Sequence, residues 1–311
     1  MTDIRLHTLT DENNLGRLSK IYNYYSGTKI KDVYKTYGIT KVGEICLKIV
    51  YSYTGDDITG EFASLDVWTQ EMEDGSKFSN IFSNELSTSF DGVNDTVDFG
   101  DNHNYDLGDT FSISLWVKPI TIALTGNIFS KTGPAGGYNG YMLRCNATTG
   151  ALYLQVRATG ATRNWTYDKS LVAGSWHHIV FTYSGALDVS GMELYVDGVK
   201  ATTPTAGGLS GTLLIGQPFQ LASRNSSNYF NCNIDEMSIW NTELSQSDVT
   251  ALYNNGVVSD ISALDNYTAE CDSWYRMGDD DTYPTVTDNK GTTDGTMTNM
   301  AAEDFVNDVP E

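Results

Sequence analysis

Between residues 88 and 253 the chain carries five short phrases in fixed order: TSFDGVNDTVDFGD, FSISLWVKP, SWHHIVFTY, MELYVDG and IDEMSIWNTELS. Phe111, Ile113, Leu115 and Val117 stand two apart, with Ser112, Ser114 and Trp116 between them, so one face of that segment is apolar. This is the period of a β-strand, whose successive side chains point to opposite faces. Leu194 and Val196 repeat it and run into Asp197-Gly198, a pair suited to a tight hairpin turn with positive φ. Short alternating strands cut by Gly-rich, acidic turns predict an antiparallel β-sandwich.

The five phrases, in this order and spacing, resemble the laminin-G-like, concanavalin A-like jelly-roll family, to which the pentraxins also belong. The resemblance covers a little over half the chain. It implies a mainly β protein whose jelly-roll sandwich occupies residues 87–258. The helix expected at its end, SQSDVTALYNNG, has Ser247 as cap, Val249, Leu252 and Tyr253 facing inward and Gly256 as stop.

The flanks read differently. Residues 1–70 predict a small N-terminal α+β domain for docking or assembly, joined by a polar linker at 71–86. Leu15, Leu18, Ile21 and Tyr25 fall at helical spacing before Gly27, and Ile30, Val33, Tyr34 and Tyr37 form a second helical face ended by Gly38. The following EICLKIVYSY fits helix or strand. The phrase DVYKTYGITKVGEICLKI loosely resembles a helix-turn-helix, but Glu44 stands where that motif wants an apolar residue. At the other end, residues 259–311 contain WYRMGDDDTYPTVTDNKGTTDGTMTNM, which resembles the opening phrase of the same jelly-roll family. Two roles are open for it: completing the sandwich from behind, which is favoured because domain termini often lie close together, or serving a second module or a neighbour.

The formal net charge is −21, with 2 basic and 13 acidic side chains in residues 259–311 alone. A chain so acidic repels a phosphate backbone, so nucleic acid is not an expected partner. No stretch is long and apolar enough for a transmembrane helix, and the N-terminus lacks the pattern of a secretory signal. The four cysteines, Cys46, Cys145, Cys232 and Cys271, form no CxxC pair. Free thiols are the expectation, with a Cys145–Cys232 disulfide as the alternative.

Two candidate sites emerge. Asp91, Asn94, Asp95 and Asp98 crowd one turn, and several oxygen ligands in one loop suit Ca2+. The resemblance implies a structural calcium held by Asp91, Asp95 and Asp235, against the plainer reading of an Asx-turn. A second acidic group, Asp279, Asp280, Asp281, Asp288 and Asp294, lacks EF-hand spacing and reads as solvated turns. For ligand binding, Trp165 lies in the polar run TGATRNWTYD. With Arg163, Tyr167 and Tyr138 of the Gly-rich GPAGGYNGY, it would offer an aromatic platform for a sugar. Trp116, Trp176 and Trp240 are expected in the core. His177 and His178 point to opposite faces of a strand and cannot share a ligand, while His7 and His103 have no evident partner.

Catalysis is not expected. The E-x-D-x-x-E pair of jelly-roll glycosidases is broken in NIDEMSIW, where Asn233 takes the place of the first acid. The phrases SNELSTSFDGVNDTVDFGD and WYRMGDDDTYPTVTDNKGTTDGTMTNM also resemble structural proteins of tailed bacteriophages. That resemblance implies a virion appendage or decoration protein in several copies, docked to other virion proteins by residues 1–70 and displaying a lectin-like domain to host surface glycans. An exported bacterial surface adhesin and a polysaccharide-degrading enzyme are the alternatives.

Overall fold

The computed structural model describes residues 82–133, 139–202 and 207–310, together with the backbone of three strands at 32–39, 43–51 and 62–67. By its contacts the chain divides into two compact units, Met1–Ser83 and Asn84–Glu311.

In the first unit, β1 (Asp32–Ile39), β2 (Gly43–Tyr51) and β3 (Phe62–Val67) form an antiparallel sheet in that order. This corrects two expectations. Val33, Tyr34 and Tyr37 lie on a strand and not on a helix. The helix-turn-helix-like phrase is a hairpin in which Gly38 pairs with Glu44, one pair from the turn. β-branched and aromatic residues lose side-chain freedom in a helix and favour a pleated surface, and this segment is rich in them. The helix expected over Leu15–Tyr25 lies outside the described residues.

The second unit is a sandwich of two eight-stranded antiparallel sheets. One contains β5 (Thr96–Asp98), β7 (Gly126–Thr132), β8 (Gly140–Cys145), β9 (Ala151–Ala158), β10 (Ala161–Ser170), β14 (Gln220–Leu221), β17 (Thr285–Val286) and β18 (Gly295–Thr298). Their order is β10-β9-β8-β7-β14-β5-β18-β17, so β10 is an edge strand. The other contains β4 (Ser87–Asp91), β6 (Phe111–Pro119), β11 (His177–Tyr183), β12 (Met192–Val196), β13 (Val199–Lys200), β15 (Asn231–Trp240), β16 (Cys271–Tyr275) and β19 (Phe305–Val306). Phe111, Ile113, Leu115 and Val117 of β6 point into the shared core with Ile179 and Phe181 of β11 and Ile128 and Phe129 of β7. The Asp197-Gly198 turn has φ of 52° and 74°, as a tight hairpin requires.

The opposite face of β6 is also buried. Ser112, Ser114 and Trp116 lie under Leu244 and the helix Gln246–Tyr253, whose Val249 and Leu252 face inward. Ser112 Oγ donates to Thr242 O and accepts Leu244 N–H, and Tyr253 stacks on Trp116 at 5.9 Å. That helix is capped by Ser245, with a capping box to Asp248, and ends at Asn254 in the left-handed region. The expected cap, Ser247, is already inside the helix.

The C-terminal segment returns to both sheets: β18 pairs with β5, β19 with β4 and β16 with β15. Along one edge of β15, residues 231–234 pair with β4 and residues 237–240 with β16. The bulge at Asp235–Glu236 falls where the partner changes, and Glu236 takes φ of 45° there.

Candidate functional site

On β9, Leu152, Leu154, Val156 and Ala158 alternate inward. On the edge strand β10, Arg163 pairs with Val156 and Trp165 with Leu154, so these two side chains share the inward face. Across from them stand Val189 and Met192, where a short 3-10 turn enters β12. Between the two walls lies a cleft of about 330 Å3, lined by Leu154, Val156, Arg163, Trp165, Val189 and Gly207. Such a volume is at the small end for ligand pockets, about 300–1,000 Å3.

Asp188 builds the far wall. Its carboxylate accepts Ser190 N–H at 2.8 Å and Gly207 N–H at 3.0 Å, tying the turn to the extended segment at Gly207 that lines the cleft. These backbone bonds, with the Arg163 guanidinium beside it, hold the Asp188 carboxyl below the usual carboxylate range. Gly207 has to be small: a Cβ there would lie 3.0 Å from Arg163 Nε and from Val189 Cγ2, narrowing the cleft.

Two donors here are buried without a hydrogen-bond partner, the Trp165 indole Nε1–H and the Tyr167 hydroxyl. Trp165 is partly buried and packs against the core. Tyr167 lies deeper, at 3% exposure, with burial pushing its phenol up. The arrangement offers an apolar slot with Trp165 in its wall, and the indole N–H of that residue is buried without a partner. Leaving such a donor unmet in a buried site costs about 1–3 kcal/mol.

Of the four residues expected to bind a ligand, Arg163 and Trp165 line the cleft, Tyr167 lies beneath the surface, and Tyr138 lies outside the described residues. Sequence reasoning missed Leu154, Val156, Val189, Met192, Gly207 and Asp188. Only the alternation of ALYLQVRA marked any of them, because their meeting depends on the packing of two sheets.

The calcium set is not assembled. Asp91 Oδ1 accepts Val93 N–H at 2.7 Å, and Asp95 Oδ2 accepts Asp91 N–H at 2.9 Å, so both carboxylates close their own turn. Burial pushes the Asp95 carboxyl up to about 6. Asp91 pairs with Asn231, whereas Asp235 stands four residues further along β15, about 13 Å at strand rise. Ca2+ needs oxygens at about 2.3–2.6 Å, so these three residues do not fit one ion. Among the described residues, no group of three or more His, Cys, Asp or Glu side chains is placed to hold a metal.

Asp235 belongs to a different cluster, at the β15 bulge. It accepts Asn84 Nδ2–H at 2.8 Å, and Glu236 accepts Trp274 Nε1–H at 2.6 Å and Arg276 Nε–H at 3.2 Å. Arg276 also reaches Asp279 and Asp280. Burial and the adjacent Glu236 drive the Asp235 carboxyl well up; burial, opposed by Arg276, pushes Glu236 up to about 7. The second acidic group proves structural and not simply solvated. Asp288 accepts the N–H groups of Trp274, Gly291 and Thr293, Asp281 those of Gly278 and Thr287, and Asp294 that of Asp288.

The remaining expectations resolve as follows. Trp116 and Trp240 are buried, while Trp176 is half-buried and donates to Asp308. His178 is buried against Ser114 Oγ at 2.8 Å, whereas His177 meets Asp197 at 2.9 Å. His103 does have a partner, the Tyr275 hydroxyl at 3.1 Å. Cys145, Cys232 and Cys271 are free and buried.

The family model described as the Concanavalin A-like lectin/glucanases superfamily matches residues 91–250, more than half the chain. The chain belongs to this superfamily. Among solved structures, a proposed carbohydrate binding protein from Bacteroides ovatus superposes with a TM-score of 0.51 at 14% identity, covering 89% of this chain and 70% of that one. A heptameric SAP-like pentraxin from Limulus polyphemus gives 0.45 at 15% identity, over 56% of this chain and 84% of that one. No curated protein matches the chain. At these identities the superfamily likeness establishes the jelly-roll fold, and the cleft rests on its own geometry.

Proposed function

We propose that this superfamily member is a lectin-like binding protein that takes a sugar unit of a surface glycan into the cleft between β10 and the Val189–Met192 segment. The observation that carries this reading is the buried, unpartnered Trp165 indole N–H beside an apolar wall. Sugars present apolar C–H faces to such walls and hydroxyl oxygens to such donors. Arg163 and Asp188 offset one another's charge, which suits a neutral sugar better than an anionic one.

Binding without catalysis accompanies this reading. Asp235 and Glu236, the carboxylates nearest the broken glycosidase motif, are buried and already engaged by Asn84, Trp274 and Arg276. For setting, the phrase-level resemblance supports a bacteriophage virion protein with residues 1–70 docked to other virion proteins and the jelly-roll displayed outward. Display in several copies would turn weak single-site affinity into adhesion.

The test is a glycan array probed with the full chain and with Trp165→Ala. Binding to a defined neutral glycan that disappears in the variant is expected. Binding that survives the substitution would move the site elsewhere, and reducing-sugar release from a bound polysaccharide would point to an enzyme.

A further inference from the structure

No Asp or Glu occurs between Thr110 and Tyr167, in a chain whose net charge is −21, while that stretch carries Lys118, Lys131, Arg144, Arg157 and Arg163. It supplies β6 to β9 and most of β10. Leu143, Leu154 and Trp165 take inward places on the first sheet, so the alternate residues form its outer face. One row across that face runs Asn127, Arg144, Tyr153 and Thr166, and the next runs Met142, Gln155 and Asn164. Lys118, Lys131, Lys200 and Arg276 each hold a carboxylate. Arg144 holds none. Its guanidinium lies over the Tyr153 ring, 4.0 Å from the centroid, with no hydrogen bond to a described residue. Arg144 Nε and the neighbouring Asn127 Nδ2 are buried donors without partners. Arg224 reaches over the same strand, its Nη1 3.7 Å from Met142 Sδ, and adds a second positive charge.

A guanidinium held flat on an aromatic ring keeps its fork of donors in one orientation, which suits a carboxylate or sulfate. We infer that this outer face binds an acidic glycan, with Arg144 taking the anionic group. The two buried donors stay beneath the surface and add positive potential to it. The next row supplies contacts for sugar hydroxyls. Gln155 Nε2 donates to Asn164 Oδ1 at 2.9 Å, which leaves Gln155 Oε1 as an acceptor and Asn164 Nδ2 as a donor. The carboxylates bordering the face are engaged, Asp98 by Gln220 Nε2 and Asp168 by Thr202 N–H, each at 2.9 Å. Repulsion from acidic groups elsewhere is screened beyond about 8 Å at physiological salt. A protein partner fits less well. Interface centres are apolar or aromatic, and among the described residues no exposed large apolar side chain lies on β7 to β10. The cleft lies on the inward side of β9 and β10, so the two sites are independent.

The test is an array of uronate-containing and sulfated glycans, each beside an uncharged counterpart, probed with the full chain. Acidic members should be retained above their counterparts, and less so as salt rises. Arg144→Gln should weaken that retention about tenfold, since it removes a charged hydrogen-bond donor, while Trp165→Ala should leave it unchanged. Retention of uronates alone, or of sulfates alone, identifies the anion. Thermal unfolding checks that each variant folds, and Gln155→Ala, which should weaken retention severalfold, serves if Arg144→Gln unfolds. Equal retention of acidic and uncharged glycans would overturn the inference, as would acidic retention indifferent to these substitutions. So would polyglutamate binding as tightly as any glycan, the mark of an acidic protein partner.

Discussion

The Trp274 indole N–H donates to Glu236 Oε2 at 2.6 Å, joining the bulge of β15 to the strand that the C-terminal segment lays beside it. Both residues are buried, and Glu236 also holds Arg276. Trp274→Phe keeps most of the ring volume but removes the donor from a buried carboxylate. The expected cost is about 1–3 kcal/mol, read from urea unfolding. A change indistinguishable from zero would mean that the bulge does not depend on this bond.

Glu236 also predicts a pH dependence. Its carboxyl is pushed up to about 7, above its ordinary value of 4.5, so between these values the folded chain holds a proton that the unfolded chain releases. Its contribution to stability therefore falls as pH rises through that window. The buried His178, pushed down to about 3 from 6.5, acts in the opposite sense, and stability is lost as pH falls below 6.5. Glu236→Gln removes the first effect and leaves the second. Unfolding free energies at pH 5 and pH 7 should show the variant losing more stability on acidification than the parent chain. An equal loss in both would contradict the assignment.

Much of the sandwich was legible in the sequence because its signals are local. Alternation in FSISLWVKP and the Asp197-Gly198 turn depend on neighbours one or two residues away. What failed depended on distant packing. Ser112 and Ser114 look solvent-facing by period, yet a helix more than 130 residues later covers them. Val33 and Tyr37 fit a helical face, but strand pairing across β1 and β2 prevails. Asp91 and Asp235 resemble one ligand set by motif, while the register of β15 separates them. Trp165 stood out as an indole in a polar run, and its cleft partners on β12 could not be seen from β10.

Cys145, Cys232 and Cys271 are buried free thiols, and burial pushes Cys145 and Cys271 up to about 12. Thiolate is the reactive form, so these three should resist a thiol reagent until the chain unfolds. In the native protein at most Cys46 should react, and all four should react in denaturant. Rapid native labelling of two or more would contradict the buried placement.

Asp308 fastens the end of the chain to the second sheet. Its carboxylate accepts Lys118 Nζ–H at 2.8 Å, Asn233 Nδ2–H at 3.0 Å and Trp176 Nε1–H at 3.3 Å. The group is partly exposed, so solvent screens the ion pair and Asp308→Ala should cost only about 1–2 kcal/mol. A melting temperature equal to that of the parent would show that β19 holds without this clasp.

The most direct measurement follows the Trp165 indole N–H by NMR, its resonance assigned through Trp165→Phe. On addition of an oligosaccharide that the array identifies, that signal should move downfield as the proton gains an acceptor. A glycan that binds the full chain while leaving this resonance in place would contradict the cleft as the binding site.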